Sequence, residues 1–207
     1  MRHVILIAAL GLSACASLPG EPFVETLETR DWRFVATEAD RARMSEWRTA
    51  FTSALAEARA DGHDAQIDAL GVTGEPDAAR VFDAVPTGSY RCRTIKLGTQ
   101  GRGTLSYVDY PFFDCTIRVE EDLLGFHKLT GSQRPVGLLF PDNDYRRVFL
   151  GTLMLGDETR AMRYGADPQR DMIGALQNIG EDRWRLLLPY PAYESTIDII
   201  ELVPAGE

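Results

Sequence analysis

Few residues of this chain have the side chains that catalysis or metal binding usually requires. The chain contains three histidines, at positions 3, 63 and 127, and three cysteines, at positions 15, 92 and 115. A serine or cysteine nucleophile needs a base within reach, and a lone histidine in a strand, such as His127, is more typical of a structural role. There is no Gly-x-Ser-x-Gly, Cys-x-x-Cys or His-x-x-x-His pattern. We therefore expect no catalytic residues, no metal site and no cofactor.

Two polar side chains are the strongest remaining candidates for a site. Arg134 follows a turn in the segment GSQRP, where it either binds an anion or ties a loop by bidentate hydrogen bonds. Tyr90 opens the strand-rich region and is the second candidate ligand contact or loop anchor. The carboxylates at 120–122 are expected to be solvated, and DNDY at 142–145 to be a turn between strands rather than a calcium loop.

Cys15 follows a segment that is typical of exported proteins. A positive start precedes the apolar run at 4–12, which is too short to span a bilayer as a helix. Residues 12–15 read Leu-Ser-Ala-Cys and resemble the bacterial lipobox, in which the cysteine is diacylated and the signal is cleaved before it. We expect a signal peptide at 1–14 and a lipidated tether at 15–30, with an ordinary signal peptide as the alternative.

The lipidation hypothesis also predicts a location. Ala16, and not an aspartate, follows the cysteine, which favours the periplasmic face of the outer membrane over retention in the inner membrane. The expected partner is then the membrane itself, through the lipid anchor. Nucleic acid is excluded, because the net charge is −9 and no run of basic residues offsets it.

Cys92 and Cys115 are then left as an even pair in an oxidising compartment. We expect them to form a disulfide, which closes a loop worth roughly 3.5 kcal/mol in the chain-entropy model. If strands at 88–97 and 112–120 are neighbours, Cys92 faces Cys115. If TLSYV at 104–108 forms an intervening strand, the pair must bridge differently.

Hydrophobic periodicity divides the rest of the chain into a helical and a strand-rich part. An amphipathic helix is predicted over 37–62, with Met44, Trp47 and Phe51 on its apolar face, and weaker helical segments near 64–70 and 76–84. After Pro86, short alternating segments rich in β-branched and aromatic residues recur between turn signals. The predicted fold is α+β, with a helical segment at 31–86 packed on a meandering antiparallel barrel or sandwich at 87–204.

Two resemblances extend this interpretation. The segments DWRFV, GSYRCRTIKLG, KLTGSQRPVGLLFPD, MRYG and ESTIDIIELVP together resemble a family of exported proteobacterial proteins known as a domain of unknown function. That resemblance implies no catalytic residue or substrate. Gly88-Ser89-Tyr90 resembles the Gly-x-Trp motif that opens the first strand of lipocalins, with Tyr in place of Trp. It implies a lipocalin-like barrel.

The sequence therefore predicts a non-enzymatic envelope lipoprotein. Its barrel is expected to bind a small apolar ligand or another envelope protein. The alternative is a periplasmic enzyme whose site is built from scattered Asp, Glu, Arg and Tyr residues.

Overall fold

The computed structural model describes residues 30–81, 84–101 and 105–206. Within these residues, helices precede strands. The helices are α1 (Trp32–Val35), α2 (Glu38–Ser45), α3 (Trp47–Ala60), α4 (Asp64–Ala69) and a 3₁₀ helix at Gly71–Gly74. The strands are β1 (Gly88–Leu97), β2 (Tyr107–Glu120), β3 (Leu123–Lys128), β4 (Gln133–Asn143), β5 (Arg146–Leu155), β6 (Asp171–Gly180), β7 (Arg183–Pro189) and β8 (Ile197–Pro204).

The eight strands form a closed barrel in which every strand pairs with its neighbours in sequence. All pairs are antiparallel, and β1 closes the barrel by pairing with β8 as well as with β2. The prediction of helices followed by a meandering antiparallel barrel is confirmed, and of the two architectures left open the barrel is the correct one. Closure gives hydrogen-bond partners to the backbone N–H and C=O groups of β1 and β8, which would otherwise be the edges of an open sheet.

The barrel wall separates two apolar clusters. The inner cluster contains Cys92, Cys115, Phe126, Phe149 and other inward side chains, and among the described residues Val85 is its one buried member outside the strands. The outer cluster joins the helices to the outward side chains of six strands, from β4 to β8 and β1. Alternate residues of one strand therefore serve two cores, which is why β6 and β7 are buried along almost their whole length.

Two glycines allow β4 and β5 to approach each other inside the barrel. Gly137 and Gly151 are opposite each other in the register. A Cβ on Gly137 would lie 2.2 Å from the carbonyl oxygen of Leu150, and one on Gly151 would lie 2.5 Å from the ring of Phe149. Glycine at these positions makes room for the aromatic side chains that fill the barrel interior.

The predicted helix at 37–62 is two helices, α2 and α3, which meet at Glu46. Its start is as expected, because the Thr37 hydroxyl accepts a hydrogen bond from the amide of Asp40 at 3.1 Å. The Ser45 hydroxyl donates to the carbonyl of Ala42 at 2.7 Å, a local bond of the kind that bends helices. Phe51 is fully buried against the barrel, whereas Trp47 is only partly buried.

The helix predicted near 76–84 is not formed in the described part of that segment. Arg185 on β7 is fully buried and donates to the carbonyls of Thr73, Glu75 and Pro76 and to Oε1 of Gln177. These bonds hold the segment across the outer face of the barrel in an irregular conformation. The pKa of Arg185 is lowered to about 10 by burial.

Asp142 ties the beginning of the described chain to the barrel. Its carboxylate accepts from the Trp32 indole at 2.8 Å, from Arg33 at 2.8 Å and from Arg146 at 2.6 Å. Asp144 and Tyr145 form the β4–β5 turn, so DNDY contributes a turn and an anchor for α1.

Cys92 and Cys115 form a disulfide, as the sequence predicts, with Cα atoms 5.9 Å apart. The expected register is wrong by two residues, because Cys115 lies opposite Tyr90 and Cys92 lies opposite Phe113. The bridge therefore joins diagonal neighbours on the inner face, which are still within disulfide reach. The described residues 105–108 of TLSYV form no intervening strand, since Tyr107 and Val108 already belong to β2.

Candidate functional site: a lysine-lined cavity at one end of the barrel

The barrel interior contains a cavity of about 180 Å³ at the end where β1, β3, β5 and β7 finish. Its walls are inward residues of the strands, among them Thr94, Phe113, Leu153, Met172 and Ile200. Segments between strands complete it: 132–133 after β3, Gln169 before β6 and 191–194 after β7. A second, more open depression of about 430 Å³ shares Gln133 and 192–194 with it, so the cavity has an outer vestibule.

Both lysines of the chain line this cavity. The sequence contains two lysines, Lys96 and Lys128, against twenty arginines. Lys96 lies near the end of β1 and Lys128 at the end of β3. The two residues are buried, with 5% and 4% of their surface exposed. The cationic side chains outside the cavity are thus all arginines, and the amines are confined to the barrel interior.

Lys96 is held by two carboxylates. It lies opposite Asp198 in the β1–β8 register, and its Nζ is 3.0 Å from Asp198 Oδ2 and 3.2 Å from Glu194 Oε2. The Ser195 hydroxyl also donates to Asp198. Burial by itself would lower the pKa of Lys96, but these two carboxylates outweigh it and raise the pKa. Lys96 is therefore a charged, fully paired group.

Lys128 has no such partner. Its Nζ donates to the carbonyls of Thr130 at 3.1 Å and Gln133 at 2.8 Å, and it lies 3.7 Å from the ring centroid of Phe113. Among the described residues, no carboxylate is within ion-pair distance of this amine. Burial, assisted by the charges of Arg134 and Lys96, lowers the pKa of Lys128 to about 8.

A buried polar network fixes the segments that surround the cavity. Asp40 accepts hydrogen bonds from Arg43 and from the hydroxyl of Tyr164. Arg43 also donates to the carbonyls of Tyr190 at 3.1 Å and Asp171 at 2.9 Å. Helix α2 thereby connects the segment before β6 to the segment after β7, two parts of the cavity rim. Burial raises the pKa of the Asp171 carboxyl, which accepts from the amide of Gly165.

Arg134 lies beside the cavity, between its lining residues Gln133 and Pro135. Its guanidinium donates to the carbonyls of Gly131 at 2.9 Å, Gly156 at 2.6 Å and Glu158 at 2.7 Å. These bonds join the β3–β4 turn to the segment after β5. Tyr90 lies at the opposite end of the interior, where its hydroxyl donates to the carbonyl of Pro86 at 2.7 Å and its ring packs edge-on against Trp184. Cys15 lies outside the described residues.

The other candidates from the sequence are distributed around the molecule. Glu120 binds Arg118 and lies 3.1 Å from Nε2 of His127. His63 is partly buried, and its ring is stacked on that of Tyr107. In residues 30–81, 84–101 and 105–206, no group of three His, Cys, Asp or Glu side chains is arranged to hold a metal ion. No helix in the same residues is long and apolar enough to cross a membrane.

Sequence reasoning overlooked the two lysines, although a signal was present. The signal is the rarity of lysine, since the chain has twenty arginines and only two lysines. Lys96 falls on the same strand face as Tyr90 and Cys92, and Lys128 on the same face as Phe126. That alternation predicts inward-pointing amines. It does not predict that β1 and β3 bring both amines to one cavity.

Comparison with known proteins assigns the chain to a family. The family model described as domain of unknown function DUF4893 matches residues 32–202, from Trp32 of α1 to Leu202 of β8. No curated protein and no solved structure matches the chain. The match contains α1, which Asp142 binds, and all but the last two residues of the strand that closes the barrel, so it covers the folded unit described above. The chain belongs to the DUF4893 family.

Proposed function

We propose that this protein is a non-enzymatic, lipid-anchored envelope protein whose barrel binds one compact molecule in the lysine-lined cavity. The observation that carries the proposal is that both lysines of the chain line one cavity, which lies next to the apolar cluster that fills the rest of the barrel interior. A buried ammonium without a counter-charge is costly, and the two carbonyls that accept from Lys128 compensate only part of that cost. A ligand with a further acceptor would reduce the remaining cost.

The shape of the cavity limits the ligand. About 180 Å³ is below the range of roughly 300–1,000 Å³ that is typical for drug-sized ligands. The lining combines apolar side chains such as Leu153, Met172 and Ile200 with the two lysines. The sequence predicts a small apolar ligand, and we propose more specifically a compact molecule that has an apolar body and one polar group. A longer molecule would extend into the vestibule.

Ligand binding at one end of a meandering barrel is the arrangement of lipocalin-like proteins, and we propose the same use here. The position of the first described residue, Arg30, is compatible with a lipid-anchored form of it. Arg30 lies 3.4 Å from Asp122 in the β2–β3 turn, at the end of the barrel opposite the cavity. A tether at 15–30 that leads to a lipidated Cys15 would leave the cavity open to the periplasm.

Ligand binding is tested by native mass spectrometry of the purified full chain, which should retain a bound small molecule. Thr94→Phe places a ring in the cavity and should abolish the added mass. Thr49→Phe, on the exposed side of α3, is the matched control and should leave it unchanged. An empty parent protein, or equal occupancy in Thr94→Phe, would contradict the proposal.

The anchor is tested by fractionation of cells that carry Cys15→Ser. Loss of the acylated cysteine should leave the protein uncut or soluble in the periplasm, whereas the parent should sediment with outer membranes. Recovery of the variant in the membrane at the mature mass would show that Cys15 is not the lipidated residue.

Lys128 also favours a second candidate function, that of an enzyme. An amine with a pKa lowered to about 8 is partly unprotonated near neutral pH and can act as a nucleophile toward carbonyl compounds. Attack on an aldehyde carbon followed by loss of water would give an imine, which borohydride reduces to a stable secondary amine. A mass increase that depends on Lys128 after treatment with an aldehyde and borohydride would favour this function over simple binding.

A further inference from the structure

The two lysines differ in how many of their hydrogen-bond donors have strong acceptors. Lys96 faces two carboxylates. Lys128 has three N–H donors when protonated, and two of them go to the carbonyls of Thr130 and Gln133. Within the described part of the chain, the remaining donor has only the face of the Phe113 ring as a partner, which is a weaker acceptor than a carboxylate.

The other charged groups around the cavity do not supply the missing acceptor. Asp198 and Glu194 are engaged by Lys96, and Asp171 accepts from the amide of Gly165. Arg134 and Lys96 face Lys128 with the same sign of charge. Burial and these two charges lower the pKa of Lys128, and the Asp198 carboxylate, which raises that pKa, does not outweigh them. The cavity thus has one amine that would gain a strong hydrogen bond and a counter-charge from a molecule entering beside it.

We propose that the ligand is a compact monocarboxylate whose carboxylate accepts a hydrogen bond from Lys128 while its apolar part lies against Phe113, Leu153 and Ile200. This inference rests on the proposed ligand-binding function and adds the chemical class of the ligand. A lysine suits the position better than an arginine, since a buried ammonium readily changes its protonation state. A carboxylate would then bind together with a proton.

Binding of a carboxylate beside Lys128 should be coupled to uptake of a proton. Without ligand, the pKa of Lys128 is lowered to about 8, so about half of the amines are neutral near that pH. A bound carboxylate favours the ammonium and should raise the pKa. Binding near pH 8 should therefore take up about half a proton per ligand. Near pH 6 uptake at Lys128 should vanish, and affinity should fall as pH rises through 8.

Isothermal titration of the full chain with matched pairs of probes tests the inference. The carboxylates are butyrate, hexanoate and benzoate, and the controls are butyramide, hexanamide and benzamide, which have the same shape without the charge. At least one carboxylate should bind about tenfold or more tightly than its amide, as expected for a charge-assisted hydrogen bond. Titration in buffers of different ionisation enthalpy measures the proton uptake.

Two variants separate the local effect from overall charge. Lys128→Met should abolish both the preference for the carboxylate and the proton uptake. Arg48→Met removes one positive charge from the exposed Arg48–Asp77 pair and should change neither. Because Lys128→Met can disturb folding, the parent protein labelled with ¹⁵N-lysine provides an independent measurement. Its two side-chain signals come from Lys96 and Lys128, and a carboxylate should raise the titration midpoint of one of them.

The outcomes distinguish this inference from the proposal on which it rests. If amides bind as tightly as carboxylates, the cavity binds ligands but the carboxylate inference is wrong. It is equally wrong if carboxylates bind without displacing the Lys128 signal. If no probe binds and native mass spectrometry finds an empty cavity, the ligand-binding function itself is refuted.

Discussion

Replacement of Arg185 by methionine tests the view that a single buried guanidinium holds the segment at 71–76 on the barrel. All five N–H donors of Arg185 are used, two of them by Gln177 and three by main-chain carbonyls. Methionine fills similar space but donates no hydrogen bond. The variant would leave the carbonyl of Thr73 and the amide oxygen of Gln177 buried without a donor.

The expected loss follows from two opposing effects. A buried acceptor without a partner costs about 1–3 kcal/mol, so the two fully buried ones cost about 2–6 kcal/mol together. Burial disfavours the charged form of Arg185, whose pKa is lowered to about 10, and methionine removes that penalty. We expect a net loss of about 2–4 kcal/mol in the free energy of unfolding.

Urea unfolding of the full chain, followed by tryptophan fluorescence, measures the effect as a lower midpoint at constant slope. Arg183→Met is the matched control. It lies two residues away on the same outward face of β7, and its side chain is 44% exposed and pairs with Glu201 at 3.4 Å. The control should lose less than about 1 kcal/mol. Equal losses in the two variants would refute the role assigned to Arg185.

Three further predictions concern the disulfide, helix α3 and the free amine. Serine at both Cys92 and Cys115 should lower the unfolding free energy by roughly 2–5 kcal/mol, and two reactive thiols in the unfolded, unreduced parent would contradict the bridge. Phe51→Ala should lower the free energy of unfolding by about 3–5 kcal/mol because the ring is fully buried, and Trp47→Ala should lower it less because Trp47 is only partly buried. A larger loss for Trp47→Ala in thermal melts would contradict this packing of α3 on the barrel. Burial lowers the folded-state pKa of Lys128 to about 8 from 10.5, so between these pH values the unfolded state binds more protons than the folded state. The parent should therefore gain stability relative to Lys128→Met as pH rises from about 8 to 10.5. If urea unfolding gives the same stability difference at all pH values, the amine is not desolvated.

Local pattern was sufficient to predict the strands but not every helix. The strand expected at 112–120 is part of β2, because period-two burial follows from the pleat of any strand. In the described part of 76–84 the predicted helix is absent because Arg185, more than a hundred residues later, binds the carbonyls of Glu75 and Pro76. A partner so distant in sequence leaves no local signal.

The candidate site was predictable to a smaller degree. Arg134 was identified from its turn context, and the structure places it beside the cavity with its donors on three carbonyls. Lys96 and Lys128 were overlooked because each lies singly in a strand, 32 positions from the other in sequence. Only the pairing of β1, β2 and β3 brings them to the same end of the interior.

The amino-acid sequence by itself determined the helix-then-strand order, the antiparallel meander and the pairing of Cys92 with Cys115. These features depend on periodicity, turn residues and cysteine number, all of which are local or countable properties. The tertiary structure alone decided that the barrel closes, that Cys115 lies opposite Tyr90, and that Lys96 has carboxylate partners while Lys128 has none. The physical reason is that desolvation and charge pairing depend on which groups closure brings together, and strand periodicity specifies a face but not the neighbours on it.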